Sequence, residues 1–224
     1  MLLAEELVLF AIDPPKGRPP LGVKERLEVA SAGLLLAELV LRGHGEILDE
    51  HLWIEPDFLT SGERLLDEAA EIVRRTPAPL RKQVVTVRKD MDPLVDRLLD
   101  ELAADDIIEL HDERILLKHV VRVDIAEPEV YDDVVVDLRQ AAQSDGQLSQ
   151  GLAAILAMTG PINLLEKVAP ERETRDHARE RIDHAADDSA IVPGVKWLLD
   201  ETDAVINSIS VATTAITAAV PTSA

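Results

Sequence analysis

No cysteine occurs in the chain, and that absence excludes disulfides, a thiolate nucleophile and Cys-ligated zinc. Aromatic residues are nearly missing as well, at 2% beside a hydrophobic content of 46%. The core must therefore be assembled from Leu, Val, Ile and Ala. That palette suits close helix packing, whereas a β-sandwich would draw on more Tyr, Phe and Trp. Positive charge is scarce, because 23 Lys and Arg face 43 Asp and Glu for a formal net charge of −20. Such a field repels phosphate backbones and anionic bilayers, so a nucleic-acid role starts at a disadvantage and a lipid surface needs a local basic patch. A solvated acidic coat that keeps the protein soluble is the plain reading.

Long apolar runs are missing too. Residues 204–220 carry no charge, but they contain Asn207, Ser208, Ser210, Thr213, Thr214 and Thr217 and neither Leu nor Phe. They fall short of the ~20 predominantly apolar residues that a membrane span requires, and a helix buried in the protein interior explains them better. The opening apolar stretch holds Glu5 and Glu6 and lacks a basic flank, so it does not read as a secretory signal. With 224 residues there is enough chain for a substantial core. No internal repeat or low-complexity tract divides it. The expected location is cytoplasmic, with peripheral contact at a membrane.

Local signals describe a mainly α chain. Residues 3–12 read as a short buried helix, followed by a proline-stiffened loop through Asp13, Pro14, Pro15, Lys16, Gly17, Arg18, Pro19 and Pro20. A second helix is expected over 24–42. It starts amphipathic at Leu27 and Ala30, becomes apolar nearly all round after Gly33, and stops where Gly43 can take the left-handed C′ position. Such a helix belongs at the centre. Residues 46–54 read as a short strand or hairpin. Thr60 and Glu63 have capping-box spacing before Leu65, Leu66, Ala69, Ile72 and Val73, which share one helical face, and Pro77 and Pro79 close that helix.

Asp92 as N-cap and Pro93 at the first helical position open the next helix, with Leu94, Val95, Leu98, Leu99 and Leu102 on one stripe. Ile107, Ile108, Glu109 and Leu110 on one side, and Ile115, Leu116, Leu117, Lys118, His119 and Val120 on the other, flank a polar tip of His111, Asp112, Glu113 and Arg114. That is a β-hairpin by residue type and spacing. Helices follow over 131–143, 148–159, 163–167, 171–188 and 195–220, punctuated by Gly160, Pro161, Pro170, Pro193 and Gly194. The expected architecture is a single-domain helical bundle over residues 1–224, with a central buried helix, surrounding amphipathic helices and a protruding β-hairpin.

Chemical motifs are sparse. His44, Glu46, Asp49 and His51 lie close in sequence, and His177 and His184 are seven residues apart on one expected helix. Neither group has the tight form of a zinc site such as H-E-x-x-H, so both read as solvated histidines. There is no G-x-S-x-G, and Lys16 and Gly17 lie among prolines without the rest of a phosphate loop. Neighbouring carboxylates in so acidic a chain carry little information. An enzyme is not expected, and no cofactor or metal is implied. The helix from Pro93 with its hairpin has the outline of a winged helix, but Asp92, Asp96, Asp100, Glu101, Asp105 and Asp106 surround a lone Arg97, which argues against DNA.

Two blocks carry a family likeness: Leu2-Leu3-Ala4-Glu5-Glu6-Leu7-Val8-Leu9-Phe10-Ala11-Ile12 and Gly33-Leu34-Leu35-Leu36-Ala37-Glu38-Leu39-Val40-Leu41-Arg42-Gly43. Leu65-Leu66-Asp67-Glu68-Ala69, the unit 98–117, Gly151-Leu152-Ala153-Ala154-Ile155-Leu156-Ala157, Leu164-Leu165-Glu166 and the stretch 205–219 continue it in order. Together they resemble the Golgi phosphoprotein 3 family over nearly the whole chain. The resemblance implies a helical core wrapped by amphipathic helices and a hairpin used in membrane contact or self-association. For the eukaryotic members it also implies binding of phosphatidylinositol 4-phosphate, held by a tryptophan before the second helix and by three arginines.

Aligned on Leu41-Arg42-Gly43, the tryptophan position falls at Val23 and the first arginine at Ala32; aligned on Arg97-Leu98, the other two fall at Asp92 and Val95. All four depart from the pattern. A phosphate monoester needs charge-assisted donors, each worth roughly 1.5–3 kcal/mol, and headgroup binding is expected to be weakened or lost. Lys16, Arg18, Arg88, Lys89 and Arg97 remain as candidates for a weak anionic-lipid site, with the loop 13–22 as its rim. Ile107, Ile115, Leu116 and Leu117 on the hairpin are the candidate contact residues for a protein partner or a second copy of the chain. The composition, rich in Arg, Ala, Val and Asp, fits a bacterial or archaeal source, where the scaffold would serve another purpose such as docking a partner at the membrane surface. A self-associating cytosolic scaffold without lipid ligand is the other reading.

Overall fold

A helix that is apolar on every side has to be enclosed, and the chain is organised around one. A computed structural model describes residues 1–20, 22–115, 118–187 and 193–218, with side chains described outside 113–120 and 210–218. Its elements run α1 (Leu3–Ala11), α2 (Lys24–Leu41), β1 (Gly45–Leu48), β2 (His51–Ile54), α3 (Arg64–Arg75), α4 (Leu80–Asp90), α5 (Leu94–Ala104), β3 (Ile108–Ile115) and β4 (Lys118–Ile125). They continue with α6 (Pro128–Gln143), α7 (Gln150–Thr159), α8 (Leu165–Val168), a short 3-10 turn at Arg172–Thr174, α9 (Arg175–Ala185) and α10 (Pro193–Ala218). The architecture is mainly α, with two antiparallel strand pairs among the described residues.

Helix α2 packs against α1, α3, α4, α5, α7, α10 and β1. Every residue of α2 between Leu27 and Leu39 is buried, Glu28, Ser31 and Glu38 included. Its end follows the sequence expectation closely. Gly43 has φ of 72°, its amide donates to the carbonyl of Val40 at 3.0 Å, and the amide of His44 donates to Leu39 at 2.8 Å. That is a Schellman closure, which satisfies two otherwise orphaned carbonyls. Where α2 meets α10 the backbones come very close. A Cβ placed on Gly33 would lie 2.4 Å from the Thr202 hydroxyl oxygen. The core is aliphatic, with Phe10 as a fully buried ring.

Several starts differ from the sequence expectation. The Thr60–Glu63 capping box does not form; Glu63 flanks α3 directly, and the Thr60 and Ser61 hydroxyls donate to the Asp67 carboxylate at 2.5 and 2.7 Å. A carboxylate inside the first turn has taken the role assigned to the box. Asp92 is not the N-cap of α5 and Pro93 is not its first helical residue, since the helix begins at Leu94 with Pro93 as the flanking residue.

Helix α4 has no counterpart among the sequence expectations. Its buried stripe is only Leu80, Gln83, Val84 and Val87, too short and too polar to stand out. Gln83 replaces an apolar contact with three hydrogen bonds: its amide oxygen accepts from the Leu52 amide at 3.0 Å, and its amide nitrogen donates to the carbonyls of Leu52 at 3.0 Å and Thr76 at 3.2 Å.

The β3–β4 hairpin is present but its register differs. Pairing runs from Ile108 with Ile125 to Ile115 with Lys118, so His111, Asp112, Glu113 and Arg114 belong to the strand and not to the tip. A two-stranded ribbon wetted on its faces tolerates polar residues along its length; His111 Nε2 lies 3.3 Å from the Glu109 carboxylate and 3.4 Å from that of Asp124. Ile107 is partly buried against the core. Leu116, Leu117 and the side chain of Ile115 lie outside the described residues. The loop 13–18 docks at the base of the ribbon, where the Val123 amide donates to the Gly17 carbonyl at 2.8 Å. Gly17 has φ of 60°, and a Cβ there would lie 2.6 Å from Arg122 Cγ.

Four glutamates sit at or near the core. Burial pushes the carboxyls of Glu5, Glu6, Glu28 and Glu38 above the ordinary glutamate range, which lies near about 4.3. A group that holds its proton more tightly folded than unfolded loses stability as pH rises through its folded pKa. Glu68 acts in the opposite sense, since its hydrogen bond from Arg97 holds it below that range, and its contribution fades only below about pH 4.3. The net charge of −20 adds self-repulsion that also grows with pH. Thermal melting is therefore expected to show a higher Tm at about pH 5.5 than at about pH 7.5. A Tm that falls steadily over that interval on acidification contradicts it.

Candidate functional site

The N-termini of α2 and α5 come together, and of the four positions that the resemblance marks for headgroup contact three flank or open these helices, while Ala32 lies midway along α2. Val23 flanks the start of α2 and is buried; Ala32 and Val95 are buried too, while Asp92 is exposed. The start of α5 leaves backbone amides in need of an acceptor, and such a spot is a ready-made seat for an anion. Here the acceptor is internal. The Glu28 carboxylate from α2 accepts from the Val95 amide at 3.2 Å and is 3% exposed. Burial raises its pKa; the Val95 bond and the charge of Lys24 work against that shift. Lys24 itself is paired with Asp96 at 2.6 Å.

The candidate cations occupy separate elements. Lys16 and Arg18 are exposed on the loop against β4, and Lys16 is paired with Asp13 at 2.8 Å. Arg97 on α5 grips both oxygens of the Glu68 carboxylate, with Nη1 to Oε1 at 3.0 Å and Nη2 to Oε2 closer still; Nη1 also donates to the Met91 carbonyl at 3.4 Å. Arg88 and Lys89 sit in the last turn of α4, Lys89 exposed and Arg88 half-buried with its Nε lacking a hydrogen-bond partner. On α5, therefore, the guanidinium closest in sequence to the family arginine positions is already paired with a carboxylate.

Sequence reasoning missed two functional-looking groups. Glu28 carries no motif, and only its place on the buried side of α2 reveals it. Lys167 is the other. Its amine lies over the rings of Phe10 at 5.3 Å and Tyr131 at 5.4 Å, donates to the carbonyl of Ile12, and is pushed down by burial to about 8. The Tyr131 hydroxyl donates to the same carbonyl at 3.3 Å. This ammonium closes the C-terminal end of α1, where a cation is favoured, and cation–π contact with two rings offsets part of its lost hydration. A cavity of about 500 Å³ beside α9 is lined by Asn163, Glu166, Arg179 and Asp183 among others. Arg179 there is paired with Asp176 at 3.0 Å, so it offers a mixed-charge hollow with no nucleophile–base pair.

No described helix is long and apolar enough to cross a membrane. The family model described as Golgi phosphoprotein 3 (GPP34) matches residues 3–202, nearly the whole chain, and the chain belongs to that family. No curated protein matches it.

Proposed function

We propose that this member of the Golgi phosphoprotein 3 family is a non-enzymatic adaptor, cytoplasmic and peripheral, that docks a protein partner or a membrane surface with headgroup binding weakened or lost. The observation that carries the reading is the Glu28 carboxylate seated on the Val95 amide. A phosphate monoester arriving there brings a charge of about −1.5 to −2. Two unit charges of like sign about 4 Å apart repel by roughly 4 kcal/mol at an effective dielectric constant of 20. That exceeds the roughly 1.5–3 kcal/mol gained from a single charge-assisted donor, and the charge of Arg97 is already offset by its two-pronged pair with Glu68.

Flotation with neutral vesicles, with and without added phosphatidylinositol 4-phosphate, tests the reading. Recovery in the floated fraction is expected to be equal for the two. Selective recovery with the phosphoinositide overturns the loss of headgroup binding. A second reading, a self-associating cytosolic scaffold using the β3–β4 ribbon, draws support from Val121, which stands exposed on β4. Replacing Val121 by Asp is the variant that separates it: the scaffold reading expects lower association, the adaptor reading no change.

A further inference from the structure

Cations are the minority in this chain, 23 against 43 carboxylates, and four of those without a carboxylate partner lie together on α4. Arg81, Lys82, Arg88 and Lys89 are absent from every ion pair among the described residues, while Lys16, Lys24, Arg42, Arg64, Arg75 and Arg97 are all paired. The single acidic residue of α4, Asp90, is committed to Arg75 at 2.9 Å. At about 100° per residue, the four cations and Val85 fall within an arc of about 120° centred on that valine. Val85 is 43% exposed, and the opposite face is the buried one.

Helix α6 carries the complement. Glu129, Asp132, Asp133 and Asp137 are exposed and have no ion pair among the described residues, and they surround Val136, which is 46% exposed. The same rotation places all five within about 140° of arc. Both stripes thus have the same plan: four charges of one sign around one exposed valine. They cannot meet within one molecule, because α4 packs on α2, α3, α10 and β2, whereas α6 packs on α1, α7, α8 and α9.

We propose that the α4 stripe docks on the α6 stripe of a second copy of this chain, a heterologous contact in which each protomer presents both surfaces. The net charge of −20 opposes any self-association at long range. At about 0.15 M salt, however, charges are screened beyond about 8 Å, so the bodies repel weakly while ion pairs in contact retain their attraction. An anionic bilayer is disfavoured as the occupant, because beyond the stripe it would face the acidic remainder of the surface without a matched counterpart. This contact is independent of the headgroup reading above.

Sedimentation velocity over a concentration series at about 0.15 M salt provides the test, using Lys82→Glu with Lys89→Glu as one variant and Asp133→Lys with Asp137→Lys as the other. The four positions are exposed, and circular dichroism melting verifies the fold of each variant. The wild type is expected to associate weakly, each variant alone at least tenfold less, and an equimolar mixture of the two to associate again, since each supplies the sign that the other lost. A wild type that stays monomeric, variants that associate as the wild type does, or a mixture that fails to associate overturns the proposal. So does an α4 variant that loses binding to anionic vesicles while its self-association is unchanged, which would assign the stripe to a bilayer.

Discussion

Gly33→Ala is expected to destabilise the protein by about 1–2 kcal/mol, even though alanine is the better helix former by roughly 1 kcal/mol. The new methyl would lie 2.4 Å from Thr202 Oγ1, 2.5 Å from its Cγ2 and 3.0 Å from its Cβ. Turning the Thr202 side chain moves the first two atoms but not the third, whose place is set by the backbone of α10. The overlap therefore forces apart two central helices, and overpacking of this kind costs about 1–3 kcal/mol or more before the propensity gain is subtracted. For a chain of this size the loss corresponds to a Tm lower by roughly 2–8 °C. Thr202→Ala removes the two nearest atoms at the expense of one hydrogen bond to the Leu198 carbonyl. The double variant should then be more stable than the sum of the singles by about 1 kcal/mol or more. Additive losses in urea denaturation would show that the two helices do not touch there.

Glu38→Leu is expected to cost about 1–3 kcal/mol, the range for leaving a buried amide without its acceptor. Its carboxylate accepts from the Leu3 amide at 2.9 Å and from Arg42 at 2.5 Å, and the residue is 4% exposed. Leucine fits the volume but leaves the first amide of α1 without an acceptor, whereas the exposed guanidinium of Arg42 turns to water. Glu38→Gln keeps one acceptor and should lose less than half as much, while flattening the rise in stability on acidification. A leucine variant with unchanged stability in chemical denaturation would mean that the two helices are held by apolar contact alone.

The same two bonds explain part of what was legible in the sequence. Each of the two leucine-rich blocks has a glutamate among its apolar residues, and both glutamates serve one place. Glu5 accepts from the Leu2 amide at 2.7 Å and Glu38 from the neighbouring Leu3 amide, so the start of α1 is held by its own block and by the second. The pattern was visible because charge inside an apolar run is conspicuous. The central position of α2 was equally readable, since a helix without a polar side has only one place to go.

Other features escaped for physical reasons. Helix α4 is stabilised by the Gln83 clamp and a narrow stripe, and propensity and pattern are weak guides when hydrogen bonds replace apolar area. The hairpin register was misplaced because polar residues are as acceptable within an exposed ribbon as at its turn. Capping of α5 could not be read locally at all. The acceptor, Glu28, is 67 positions away from Val95, and nothing in the sequence near Asp92 and Pro93 announces it. The family positions at Val23, Ala32, Asp92 and Val95 were readable as missing donors, but the carboxylate beside Val95 was not.

Enclosure of α2 has a further effect on how the chain can be altered. Inserting one residue just before Ala32 would rotate every later side chain by about 100°, putting Ala32 in place of Gly33 at the α10 crossing and turning Glu38 away from α1. No direction around the rod can absorb that turn, because each is already filled. Grafts and deletions are accordingly confined to the coat and its connections, and splicing a tag into the inner rod would abolish folding outright.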